Sequence, residues 1–462
     1  MAEQGPPLVT LPVPQLMMVA HEYEVAKRFD DAERLLGHIL KAHPEHAPAL
    51  HLMGVVAFRQ GRKVQALALM EKAIALGVDT PLYYRNIGEV YRTLGRHPEA
   101  AAAARKSVAL NPGDALALMN CAIILADQNL TDEAISCFEL ALALRPDLPG
   151  AHFGLAEALL SKGDLARGWA EYEWRFRIAD VPRLMPPTDK PQWDGQPMGS
   201  DRTLVLIADQ GFGDAIQFGR YIKWAAERVT NIVLACSPQL KPILRQLDPN
   251  MRLSVTWSDI TEFDAWCPLT GLPRLAGTVL ETIPADMPYL KAEPARVAQW
   301  KKKLDRLTPA GLKRIGVVWA GRPTHKNDWK RSMTLAALAP VTALDGIALV
   351  VLQKGPEQTQ AGAYFGRAPL VHLSTEVEDF DDTMAIMAGL DLVLTVDTSV
   401  AHLAGAMGLP VWIMLPWCAE WRWLKDRPDS PWYPTARLFR QPGPNDWLGV
   451  SEQIAAALGA GK

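Results

Sequence analysis

Small residues recur through the first third of the chain at a fixed interval. Ala20, Gly54, Gly88, Ala122 and Ala156 step by 34, and so do Ala32, Ala66, Ala100, Ala134 and Gly168. Prolines follow at Pro44, Pro112 and Pro146, with Val78 at the remaining place. A unit with a small residue at two set points and a proline after its second apolar run is two antiparallel helices and a turn. The small residues let the helix axes approach, and the proline stops the second helix. One such unit cannot bury its apolar face alone, so neighbours must stack. Ten positions in one register set aside a merely Ala-rich helical bundle.

This pattern resembles the tetratricopeptide repeat, with five copies over about residues 13–178. The resemblance implies an α-solenoid over 1–178 whose concave face takes a peptide or protein partner. The fifth copy departs from the pattern: LARGWAEYEWRFRI crowds Trp169, Tyr172, Trp174 and Phe176 together. A solenoid's last helix normally turns a polar face outward, so this aromatic face is expected to dock on the next domain of the chain.

All fifteen tryptophans lie at or after Trp169, while the residues before it are rich in Ala and Leu; so sharp a step marks a domain boundary. Residues 179–200 hold five prolines and read as an extended connector. From residue 201 the rhythm becomes short β-type runs alternating with helical ones: TLVLIAD, QFGRYIKWAAERV, NIVLACS and PQLKPILRQL. After ARVAQWKKKLDRL it restarts with RIGVVWAG, IALVVLQKG, PLVHLS, DLVLTVD and PVWIMLP. Such alternation builds βαβ units on a parallel sheet, and the expectation is two Rossmann-like α/β domains, 201–310 and 311–462, with a cleft between them.

In an open parallel sheet ligands bind beyond the carboxyl ends of the strands. The residues there are Gln210, Gly211, Gly213 and Asp214 after the first run, Lys326 and Arg331 after RIGVVWAG, and Gln353 and Lys354 after IALVVL. After DLVLTV come Asp397, Thr398, Ser399 and His402. Asp-Thr-Ser entering VAHLAGAM reads as a helix start whose free N–H groups and positive dipole end suit a phosphate. His402 sits among apolar neighbours and needs a polar partner; a diphosphate or Asp397 meets that need, and so does a backbone group in a core. Lys326 and Arg331 are read either as cations for a departing phosphate or as surface charges, and Gln353 and Lys354 as contacts to nucleotide or ribose.

Asp-Thr-x-x-x-His followed by Leu-Ala-Gly-Ala-x-Gly-x-Pro, together with the earlier Gly-x-Gly-Asp, resembles the heptosyltransferase-like glycosyltransferases (family nine) of the GT-B fold, over about residues 190–445. With the repeats in front, the layout is similar to bacterial repeat-fused transferases, some of which modify flagellins. The resemblance implies an inverting, metal-independent transfer from a nucleotide sugar to a protein acceptor held by the repeats, with no cofactor. It also implies that Asp214 is the general base. The residue's other reading is an N-terminal cap for the helix AIQFGRYIKWAAE.

Several classes are set aside. A net charge of −3 and a longest basic run of only Lys301–Lys303, on an amphipathic stretch, do not suit nucleic acid. No run of about 18 apolar residues marks a membrane span, and the start MAEQGPPLVTLPVPQLMMV lacks the basic-then-apolar order of a signal peptide. Five scattered cysteines without C-x-x-C suit reduced thiols in a cytoplasm, not disulfides or zinc. Glu378-Asp379-Phe380-Asp381-Asp382 contains Asp-x-Asp but precedes the helix TMAIMAGL, where acids cap. The tryptophans of PWCAEWRWLKDRPDSPWYP, Trp417, Trp421, Trp423 and Trp432, suit a packed aromatic core or a sugar-stacking surface. Two alternatives stand beside the transferase: a non-catalytic adaptor that binds a nucleotide sugar, and a sugar-nucleotide epimerase.

Overall fold

The computed structural model describes residues 11–178, 188–325 and 327–460. Contacts divide the chain into two compact units, Met1–Leu155 and Ala156–Lys462.

The first unit is helical. Its helices are α1 (Val13–Val25), α2 (Phe29–Ala42), α3 (Ala47–Arg59), α4 (Lys63–Ala75), α5 (Pro81–Thr93), α6 (His97–Leu110), α7 (Ala115–Ala126), α8 (Thr131–Leu144) and the first half of α9 (Pro149–Lys162). First helices of successive pairs begin at residues 13, 47, 81, 115 and 149, so the period seen in the small residues is the period of the backbone. Ala20, Ala32, Ala66, Ala100, Ala122 and Ala134 are fully buried. At Gly54 a Cβ would stand 2.8 Å from Met70 Cγ and 3.2 Å from the carbonyl of Ala66, the close helix approach that the small residue permits.

The second unit opens with the rest of α9 and with α10 (Leu165–Tyr172), which runs into a 3-10 turn, Glu173–Arg177. Two parallel sheets follow. The first contains β1 (Thr203–Ile207), β2 (Asn231–Ala235), β3 (Arg252–Ser254) and β4 (Ala265–Pro268), in the order β3-β2-β1-β4. The second contains β5 (Lys313–Val318), β6 (Ile347–Val351), β7 (Leu370–His372), β8 (Leu392–Val396), β9 (Val411–Leu415) and β10 (Ala436–Arg440), in the order β10-β9-β8-β5-β6-β7. Each sheet reverses its strand order once, between β1 and β4 and between β5 and β8. In doubly wound sheets such a reversal opens a ligand crevice. Strands such as β6 and β8 are buried along their whole length, as continuous apolar runs in a doubly covered parallel sheet must be.

Local differences from the sequence reading have physical causes. Three strands escaped it: β3 has only three residues, β4 ends on Pro268, and β10 carries arginines at its second and last positions. The expected helix over QFGRYIKWAAERV is two, α11 (Phe212–Gly219) and α12 (Ile222–Ala226). Between them Arg220 is buried, and its Nε donates to the carbonyl of Gln217 at 2.8 Å, taking up an acceptor of the helix end. Of the connector, residues 179–187 lie outside the described part; farther on, Trp193 N donates to the carbonyl of Trp266 at 2.8 Å, so the chain runs along the edge strand β4. Asp379 caps the helix Phe380–Met387 by accepting from the amide of Asp382, and Asp382 also holds Arg296 at 2.9 Å. Among the described residues no helix is long and apolar enough to cross a membrane.

Candidate functional site

The carboxyl ends of β1 and β8 lead to one place. Beyond β1, Gly211 caps α11, and Gly213 and Asp214 lie in its first turn. Asp214 reaches back to the helix start: its Oδ2 accepts the amide of Gly211 at 2.9 Å. Its Oδ1 is paired with Arg422 Nη2, from the loop after β9. Arg422 Nη1 pairs with Glu420, whose other oxygen accepts the Arg422 amide at 2.9 Å. The guanidinium also lies over the Trp421 ring, 4.3 Å from its centroid. Burial opposes the Arg422 charge, but Asp214 and Glu420 outweigh it and raise the pKa. Burial pushes Glu420 up to about 8 against the opposing pull of Arg422.

Beyond β8, Asp397 is buried, which raises its pKa, while Arg331 pulls the other way. Thr398 is the N-cap residue of the helix Ser399–Ala406, yet its hydroxyl shares a hydrogen bond with Thr395 Oγ1 at 3.1 Å and does not cap the first-turn amides. His402, in that helix, is only 4% exposed. Its Nδ1 shares a hydrogen bond with the Tyr433 hydroxyl at 3.0 Å, and its ring stacks on Trp423 at 5.2 Å. Burial, reinforced by Arg422, Arg220 and Arg331, drives its pKa well below the ordinary value and keeps it neutral.

The second glycine of Gly-x-Gly therefore has a packing reason. A Cβ at Gly213 would stand 2.6 Å from His402 Cδ2. Gly213→Ala is expected to destabilise the α/β unit by about 1–3 kcal/mol, because Trp423 and Tyr433 leave the imidazole no room to retreat. Urea unfolding followed by tryptophan fluorescence checks this; an unchanged midpoint would mean that the ring yields freely.

Of the other expected site residues, Arg331 stands near the cluster, whereas Gln353 and Lys354 turn elsewhere. Arg331 pairs with Asp328 at 3.2 Å in the loop after β5 and stands near Asp397. Lys326 lies outside the described residues. Gln353 departs from the expected ligand contact: it is buried, accepts the amides of Trp319 and Ala320 at 3.0 and 2.9 Å, and so ties β6 to β5. Lys354 Nζ donates to the carbonyls of Ser374 and Val377 at 2.7 and 2.8 Å, which directs it to a loop of its own sheet. Beside the loop after β5 a cavity of about 600 Å³ is lined by Asp328, Trp329, Ser332, Glu357, Gln360 and Trp447 among others.

Three contributors went unread in the sequence. Arg422 and Glu420 lie among tryptophans, and the segment drew notice only for its indoles; two charges inside so apolar a stretch must be paired if buried, which was the available signal. Tyr172, on α10, is the third. Its hydroxyl accepts from Gln210 Nε2 at 3.1 Å, and its ring meets Trp421 edge-on at 5.9 Å. Nearby, Arg175 donates to Thr270 Oγ1 at 2.6 Å, and Thr270 in turn donates to Asp209, the residue before Gln210, at 2.5 Å. Trp421, Trp423 and Trp432 are buried, whereas Trp417 is exposed.

Comparison with known proteins agrees with the helical part of this description. Tetratricopeptide-repeat models match residues 26–86, 65–115 and 120–173, so the chain carries these repeats. Protein FlbA of Caulobacter vibrioides is 25% identical over 458 residues, 92% of this chain and 75% of its own length. A Cell division cycle protein 16 homolog of Mus musculus is 29% identical over 141 residues, 29% of this chain and 23% of its own. Among solved structures, YrrB, described as a TPR protein with an unusual peptide-binding site, is 20% identical, covering 36% of this chain and 86% of its own at a TM-score of 0.31. TTC0263 of Thermus thermophilus, a thermophilic TPR protein, is 23% identical, covering 36% of this chain and 91% of its own at a TM-score of 0.32.

Proposed function

We propose that the chain is an inverting, metal-independent glycosyltransferase of the GT-B kind that moves a sugar from a nucleotide-sugar donor to a protein acceptor recruited by its repeats. The observation that carries this reading is the convergence of Asp214 from one doubly wound sheet with Arg422, Asp397 and the uncapped Ser399 helix start from the other. In the proposed step the acceptor oxygen attacks the anomeric carbon, Asp214 takes the acceptor's proton, and the bond to the diphosphate breaks with its electron pair leaving on phosphate oxygen. Arg422, Arg331 and the helix dipole supply the positive charge that a metal gives elsewhere. The cavity beside β5 has the size of a nucleoside site. A flagellin acceptor follows from the family resemblance, and a cytoplasmic setting from the five scattered cysteines.

Intact-mass measurement tests the reading. Flagellin, the first candidate acceptor, is expected to lose a glycosyl mass increment in cells lacking this gene and to regain it on complementation. Identical acceptor masses across candidate proteins would favour the adaptor, a reading that the ion-paired state of Asp214 also suits.

A further inference from the structure

We infer that Arg422 is an exchangeable latch: its guanidinium leaves Asp214 for the phosphates of a nucleoside diphosphate, and the exchange frees Asp214 for the acceptor hydroxyl. The inference rests on the transferase reading above. Asp214 follows β1 in the first sheet and Arg422 follows β9 in the second, so their ion pair spans the two sheets of the α/β unit. While it holds, one carboxylate oxygen of Asp214 serves the Gly211 amide and the other serves the guanidinium. A general base needs a lone pair turned to the proton it takes; each oxygen of Asp214 already has one lone pair committed, and release of the guanidinium returns one of them.

Only one end of Arg422 has to change partner. Glu420 holds the other end and the backbone amide, and the Trp421 face supports the plane of the guanidinium. Arg422 Nε, although buried, has no hydrogen-bond partner among the described residues. Together with Nη2 it presents the two-pronged donor edge that fits phosphate oxygens. A diphosphate carries more charge than a carboxylate and offers more acceptor atoms. Arg331, paired with Asp328, acts on the same buried Asp397 as Arg422 does, so a second cation faces that carboxylate.

Calorimetric titration of the full chain in EDTA tests the latch, with UDP, GDP, ADP, CDP and pyrophosphate as probes. Arg422→Gln is expected to weaken binding about 10- to 150-fold, the worth of a charge-assisted contact, and Arg422→Lys to weaken it less. Asp214→Asn is expected to tighten binding roughly 3- to 30-fold, because the carboxylate that competes for the guanidinium is gone. That gain separates a latch from a structural ion pair, whose loss loosens the site. If Asp214→Asn, folded by circular dichroism, binds the probes no better than wild type, the latch is wrong. This variant decides the matter even if Arg422→Gln fails to fold. If wild type itself binds none of the probes, the transferase reading falls and the latch with it.

Discussion

Asp214→Asn is expected to slow sugar transfer by a factor of about 10² to 10⁴, the usual worth of a positioned general base. The asparagine retains an oxygen for the Gly211 amide, so the cap of α11 survives and the fold should be intact. The measurement is turnover with acceptor and donor at saturation, beside circular dichroism. The latch adds a second expectation for the same protein: the nucleoside diphosphate binds more tightly while turnover collapses. Loss of binding and turnover together would make the residue a structural cap and ion-pair partner. Unchanged turnover would remove Asp214 from the chemistry.

Trp169→Ala is expected to destabilise the α/β unit by about 3–5 kcal/mol, the range for truncating a large buried aromatic. Trp169 is 2% exposed, donates Nε1–H to the carbonyl of Thr278 at 3.0 Å, and meets Tyr172, Phe218, Trp421 and Trp432 edge-on. Edge-on aromatic pairs contribute beyond their buried area, and the partners come from both sides of the cleft residues: Phe218 from α11, Trp421 and Trp432 from the segment around Arg422. Every tryptophan of the chain lies at or after residue 169, so urea unfolding followed by indole fluorescence reports on this unit and not on the helices before it. A midpoint within error of wild type would show that α10 is a passive appendage.

The repeats were legible because their constraint is local and periodic. A small residue at Gly54 or Ala66 is required by the neighbouring helix of the same pair, and the next pair imposes the same requirement 34 residues on. Strands β6 and β8, and the buried stretches of β5 and β9, were legible for a similar reason, since a strand segment buried on both faces must be a continuous apolar run. The docking role of the fifth repeat was legible only in part. Trp169 and Tyr172 are buried, but Trp174 and Phe176 lie beneath the guanidinium groups of Arg177 and Arg175, at 4.3 and 3.9 Å from their ring centroids. An aromatic cluster in sequence does not say which rings face a partner surface and which take a cation.

The sequence by itself determined the helical repeat, the alternation that makes parallel sheets, and the place of Asp214, Asp397 and the Ser399 helix start at strand ends. Those features follow from hydrophobic period, residue size and capping chemistry, all of which act within a few tens of residues. Tertiary structure alone decided the partners: Arg422, 208 positions from Asp214, closes on it, the ring of His402 fills the space that Gly213 leaves open, and Gln353 turns inward to hold β5. A buried charge must find an opposite charge and a buried amide its hydrogen bonds. Which ones they find depends on how two sheets pack, a relation between distant segments that no local period records.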